Sequence, residues 1–182
     1  MTENSLEKIL QRYQNSFVDK VYSEENDEHD PLMDVFGLSS QLKRENKQYW
    51  GRELGMCWQL LVTEVCKQYC DRFQAAIKFG SDEPCDLVVG HYAIDTKYRI
   101  GSGDSGTLKK FKSYGILLRE NRYEPVLLIL RNDNLPAAIK ACRSGNWNIY
   151  TGDDSFEFIL NLSGFDLKHF LIERAGAFPV NR

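Results

Sequence analysis

Two acidic residues and a lysine stand where chemistry could use them. Asp86 lies at the start of the run "CDLVV", Asp95 and Lys97 lie within "YAIDTKYRI", and only a Gly90-His91 turn separates the two runs. Both runs are short and rich in β-branched or aromatic residues, so they read as the paired strands of a hairpin. Pairing about residues 90 and 91 matches Asp86 with Asp95 and sets their side chains opposite each other on one face, about 5 Å apart. Lys97 points to that face too, because strand side chains alternate with period two. Carboxylates that close repel unless a proton or a cation intervenes, and a hard divalent ion such as Mg²⁺, which takes oxygen ligands, meets that need. The Lys97 ammonium would stand beside the ion, where it can bind a phosphate oxygen or hold an attacking water. A plainer use of the same spacing is an ion-paired strand end on the surface.

Elements on either side must position such a site. "SLEKILQRYQNSFVDKVY" spaces Leu6, Ile9, Leu10, Tyr13, Phe17 and Val21 by three and four, with Ser5 as a cap, and reads as an amphipathic helix. "YWGRELGMCWQLLVTEVCKQYCDRF" carries a second helical stripe through Leu54, Trp58, Leu61, Val62, Val65 and Tyr69. "AAIKFG" is a further strand beside the hairpin, broken from it by "SDEP". "TLKKFKSYGILLREN" returns to helical period, "EPVLLILRN" is an unbroken apolar run suited to a strand buried on both faces, and "LPAAIKACRSG" is a helix opened by Pro136. "WNIYTG" adds a strand, and "DSFEFILNLSG" and "DLKHFLIERAG" are closing helices. The expected fold is an α/β single-domain sandwich with a central mixed β-sheet flanked by helices. Its parts are an N-terminal helix and acidic loop over 1–48, a core over about 49–135, and a C-terminal strand and helices over 136–182.

The segment after the hairpin, "GSGDSGTLKKFK", places backbone N–H groups at a helix start, where an anion is favoured. Arg99, Ser102, Ser105, Thr107, Lys109, Lys110 and Lys112 gather there into a basic, hydroxyl-rich surface beside the acids, and a DNA phosphate could sit on it. Asp104 could accept from a cytosine amino group or cap the helix. The glycines form no phosphate-cradling P-loop, because the Gly-Lys-Ser/Thr ending is missing. "LRNDN", Leu130 to Asn134, has side chains that read base edges and equally suits a polar turn before Pro136.

Composition narrows the classes. A chain of 182 residues, 42% hydrophobic and 27% charged, is long enough for one ordinary core and too short for two comfortable domains. No run approaches the roughly 20 apolar residues of a membrane span, and the polar N-terminus lacks the form of a signal peptide, so a cytoplasmic protein is expected. Five cysteines without a Cys-x-x-Cys pair, and three scattered histidines, speak for reduced thiols and against structural zinc. The net charge of −3 speaks against a general nucleic-acid binder. Five of the acids sit in "SEENDEHD", Ser23 to Asp30, which reads as a solvated loop and can mask a basic surface elsewhere. Trp50, Trp58 and Trp147 read as core or interface.

"PCD", Pro84 to Asp86, followed by "IDTK", Ile94 to Lys97, resembles the motif of the PD-(D/E)XK nuclease superfamily, with Cys85 standing between the proline and the first acid. The order of elements over residues 49 to 135 resembles the core of that family. The resemblance implies a Mg²⁺-dependent endonuclease hydrolysing double-stranded DNA by in-line attack of an activated water and leaving a 5′ phosphate. Within the superfamily the compact chain looks most like a type II restriction endonuclease, which a palindromic site would favour as a homodimer. The alternatives are a structure-selective repair or recombination nuclease with the same core, and a non-catalytic DNA-binding module. Asp86, Asp95, Thr96 and Lys97 form the expected site. Family members often add a Glu from the preceding helix; Glu53, near the helix start beside Arg52, is the first choice, with Glu64 and Gln59 as further candidates. Arg52 could meet a phosphate.

Overall fold

The computed structural model describes residues 21–180 together with Gln11 and Gln14; the helix expected over Ser5 to Tyr22 lies mostly outside the described residues, and its last two positions, Val21 and Tyr22, are a strand. The chain runs β1 (Val21–Tyr22), α1 (Pro31–Val35), α2 (Ser40–Glu45), α3 (Lys47–Tyr69), β2 (Phe73–Ala75), β3 (Leu87–Val89), β4 (Tyr92–Lys97), β5 (Ser102–Gly103), α4 (Ser105–Glu120), β6 (Glu124–Ile129), α5 (Pro136–Ser144), β7 (Asn148–Thr151), α6 (Asp153–Ser163) and α7 (Leu167–Ile172). The main sheet has five strands in the order β2-β3-β4-β6-β7, antiparallel from β2 to β4 and parallel from β4 to β7. This is the mixed-sheet α/β sandwich that the alternation of periods predicts.

The two faces of the sheet bury separate cores. Ile94, Val126 and Leu128 pack with Trp58 and Val62 of α3 and with Phe156 and Ile159 of α6 on one side. Ala93, Leu127 and Ile129 pack with Leu118 of α4 and with Ala138 and Cys142 of α5 on the other. Residues 125 to 129 of β6 are therefore buried on both faces, which is why that strand shows no alternation in sequence. Trp58 and Trp147 fill the two cores, their indole N–H groups donating to the carbonyls of Leu128 and Phe111 at 3.3 and 2.7 Å.

The hairpin register follows from its turn. Gly90, at φ +61°, takes the first central position of a two-residue turn, the left-handed conformation that glycine adopts without strain. Val89 then pairs with Tyr92, Val88 with Ala93 and Leu87 with Ile94, and the Asp86 amide donates to the Ile94 carbonyl at 2.9 Å. β4 continues into parallel pairing with β6, Asp95 beside Leu127 and Lys97 beside Ile129, so the acid and the lysine leave the centre of the sheet and not its edge.

Three local features differ from the sequence expectation. The strand beside the hairpin is Phe73–Ala75, not "AAIKFG"; Ile77 and Phe79 are apolar because they pack against the α4–α5 core, while pairing beyond β2 is limited to a Phe79–Asp82 bridge. Residues 31–45 form two short helices, capped by Asp30, which accepts from the amides of Leu32 and Met33, and by Ser39, which accepts from Leu42. The acidic segment Ser23 to Asp30 is not a free solvated loop. β1 pairs with β5, the Arg99 guanidinium donates to the carbonyls of Ser23 and Glu24, and Arg131 donates to Asn26 and Glu28. No helix among the described residues is long and apolar enough to cross a membrane.

Candidate active site

The C-terminal end of the hairpin gathers Asp86, Asp95, Thr96 and Lys97. Lys97 Nζ lies 2.7 Å from Asp95 Oδ2 and donates to the Thr96 carbonyl at 3.0 Å. Asp86 is held by three donors: its Oδ2 accepts from the Thr96 amide at 2.8 Å and the Thr96 hydroxyl at 2.6 Å, and its Oδ1 accepts from Gln59 Nε2 at 2.8 Å. The expected register holds from Val89–Tyr92 to Leu87–Ile94, but Asp86 lies ahead of β3 with its amide on the Ile94 carbonyl, and its side chain does not stand opposite Asp95 on one face. Asp86 sits in a bend ahead of β3, and its carboxylate turns toward Thr96 and α3. Asp95, alternating with Thr96, faces the α4–α5 side.

The electrostatics agree with two carboxylates at close quarters. Burial pushes the Asp95 carboxyl up to about 6; the Lys97 ammonium pulls it down, and the charge and hydrogen bond of Asp86 push it further up. Burial opposes the charge of Lys97, yet the carboxylates of Asp95 and Asp86 outweigh it and hold the ammonium above its ordinary pKa. Lys97 is therefore a cation at neutral pH. Two buried thiols flank the cluster: burial, aided by Asp95, pushes Cys142 up to about 12, and burial pushes Cys85 up to about 11. Both stay protonated at neutral pH.

The helix residue that reaches the cluster is Gln59. Glu53 is exposed and ion-paired to Arg52 at 2.9 Å, and Glu64 accepts from Gln68 at 2.7 Å. Six positions separate Glu53 from Gln59, about 600° of helix, so the two point a third of a turn apart. The assignment of Glu53 to the site is thus corrected in favour of Gln59, whose side chain stands beside Trp58 on the face that α3 turns to the sheet.

The loop residues divide into bound and free. Arg99, expected on the DNA surface, is tied to Asp133 at 3.0 Å and to the acidic segment, and only 11% of its side chain is exposed. That corrects its assignment as a phosphate ligand. Asp104 caps α4, accepting from the Thr107 amide at 2.9 Å and the Thr107 hydroxyl at 3.2 Å, and the Thr107 amide holds its carboxyl below the ordinary value. Ser102, Ser105, Lys109 and Lys112 are exposed, as is Arg52. "LRNDN" is a structural turn: Arg131 and Asp133 pair at 3.0 Å, and the Asn134 side chain accepts from the Ile100 amide at 2.8 Å.

A buried charged network lies below this turn, unmarked by any sequence motif. The Tyr98 hydroxyl donates to Asp30 at 2.6 Å and accepts from Lys43 Nζ at 2.6 Å, while Arg131 meets the same Asp30 carboxylate at 3.4 Å. Lys43 also pairs with Glu25, and burial lowers its pKa although Glu25 acts to raise it. These partners lie 18 to 101 positions apart in sequence, so no local pattern announces them.

Among the described residues no three His, Cys, Asp or Glu side chains gather as a metal cage. The donors present would still fit a hard, oxygen-seeking ion: the neighbouring Asp86 and Asp95 carboxylates, with the Thr96 carbonyl that now accepts from Lys97, are oxygen donors of the kind such an ion takes. No protein-family model, curated protein or solved structure matches the chain.

Proposed function

We propose that this protein is a Mg²⁺-dependent endonuclease of double-stranded DNA, acting as a homodimer in the manner of a type II restriction enzyme. The observation that carries the reading is the Asp95–Lys97 ion pair at 2.7 Å beside the anchored Asp86 carboxylate, whose charge helps to raise the Asp95 carboxyl. Two carboxylates kept together at a cost, with one cation already between sheet and solvent, are a poor choice for stability and a good one for holding a second cation.

Mg²⁺ held by Asp86 and Asp95 would stabilise charge on the transferring phosphate and favour ionisation of the attacking water. The chain's own residues do the rest. Gln59 and Thr96 fix the Asp86 carboxylate through three hydrogen bonds and remove its freedom to swing away. Lys97, charged and anchored on the Thr96 carbonyl, is placed to donate to a non-bridging phosphate oxygen or to orient the water. The exposed Lys109 and Lys112 on α4 and Arg52 on α3 offer positive charge to the flanking backbone.

Digestion of a supercoiled plasmid tests the reading. Discrete fragments in Mg²⁺ and none in chelator support it. Cutting confined to branched substrates supports a repair nuclease, and binding without cutting supports a DNA-binding module.

A further inference from the structure

A cleft of about 550 Å³ opens between the acidic segment, the start of α3 and the link from β4 to β5. Its size is that of a ligand site. Arg99 and Glu25 line it, but both are spent within the protein, on Asp133 and on Lys43. The polar side chains left over are Glu24, Lys47, Gln48 and Ser102, none of which bonds a described residue. Their charges are one of each sign and cancel.

That balance distinguishes the occupant. A phosphate group seeks net positive charge, and Glu24 repels it. Uncharged edges rich in donors and acceptors suit the cleft instead: Gln48 can both donate and accept, Glu24 accepts from an exocyclic amino group, and Lys47 donates to guanine O6 or N7. Base edges in a DNA major groove have this character.

The cleft and the acidic pair share one helix, α3. Gln48 precedes Gln59 by eleven positions, about 16 Å along α3 and within about 20° of the same direction. Between them Gly51 is open, a Cβ there meeting nothing within 4 Å, while Gly55 packs close to Tyr98, a Cβ there lying 3.7 Å from the Tyr98 Cβ. At roughly 3.4 Å per base step, that span is about five steps. We infer that this cleft is a base-reading site in which Gln48 and Glu24 set sequence preference about five base steps from the bond that is cut. The inference rests on the DNA-cleaving reading of the Asp86-Asp95-Lys97 site.

The test uses a randomised duplex library with two readouts, the sequences bound in Ca²⁺ and the sequences cut in Mg²⁺. The wild-type protein should enrich a defined sequence. Gln48→Ala and Glu24→Ala should each relax the preference at one position by roughly ten- to a hundred-fold and leave the other positions as they were. Gly51→Leu fills the cleft on an open helix face and should weaken binding to every sequence while thermal stability holds. Equal preferences in wild type and both Ala variants would overturn the assignment, as would a wild-type protein that selects nothing. Selective binding without cutting counts against the nuclease reading alone, and loss of that selectivity in Gln48→Ala still upholds the cleft.

Discussion

Asp86 accepts both the amide and the hydroxyl of Thr96, at 2.8 and 2.6 Å, and this pair of bonds locks the first acid to the strand that carries the second. Thr96→Val keeps the shape and the amide bond but removes the hydroxyl. We expect it to lower Mg²⁺ affinity and turnover by roughly ten-fold, since positioning groups of a metal site typically carry effects of about 10- to 100-fold. Mg²⁺ titration by calorimetry checks the affinity apart from cleavage.

Gln59 and Glu53 make opposite predictions. Gln59→Ala frees one oxygen of Asp86 and should reduce cleavage by roughly 10- to 100-fold. Glu53→Ala removes only an exposed pair with Arg52 and should change turnover less than two-fold or so. Parallel rate measurements on one duplex substrate decide between the two helix positions.

The Asp95 carboxyl gives a pH signature without any DNA. Its folded pKa of about 6 lies above the unfolded value of roughly 3.9, so the folded state binds more protons between those two values. The stability this proton provides is present below pH ~4 and is lost as pH rises through ~6, a change on the order of 2–3 kcal/mol. Metal-free protein should therefore melt at lower temperature at pH 7.5 than the same protein with Asp95→Asn. Mg²⁺, which replaces the proton, should raise the melting temperature at pH 7.5 and have little effect at pH 4.5.

The buried network under the acidic segment predicts a stability loss far from the site. Arg131 is 3% exposed and faces Asp30 and Asp133, so Arg131→Ala leaves the buried Asp30 carboxylate without its ion-pair partner, while Asp133 keeps Arg99, and should cost about 3–5 kcal/mol. Tyr98→Phe removes one hydroxyl between Asp30 and Lys43 and should cost about 1–3 kcal/mol. Urea unfolding measures both.

Much of the fold could be read locally. The glycine turn set the pairing from Val89–Tyr92 to Leu87–Ile94, and the Asp104-to-Thr107 spacing marked the start of α4, because these depend on residues within ten positions of each other. What escaped was set by tertiary partners. Nothing near Gln59 says that it reaches across 27 positions to Asp86, and nothing near Arg99 says that Asp133 and the acidic segment claim its guanidinium. The charge run Ser23 to Asp30 reads as solvated because the cations that bind it, Lys43, Arg99 and Arg131, lie far along the chain.

The claim that Asp86, Asp95 and Lys97 form a phosphodiesterase centre is tested most directly by cleavage of a supercoiled plasmid with wild-type protein and with Asp95→Ala, each in Mg²⁺ and in chelator. Asp95→Ala keeps the hairpin and removes only the acid whose burial and contacts define the site. Wild type should give defined fragments in Mg²⁺ alone, and Asp95→Ala should cut at least a thousand-fold or so more slowly. Equal cutting by the two proteins, or cutting by wild type that survives the chelator, would contradict it.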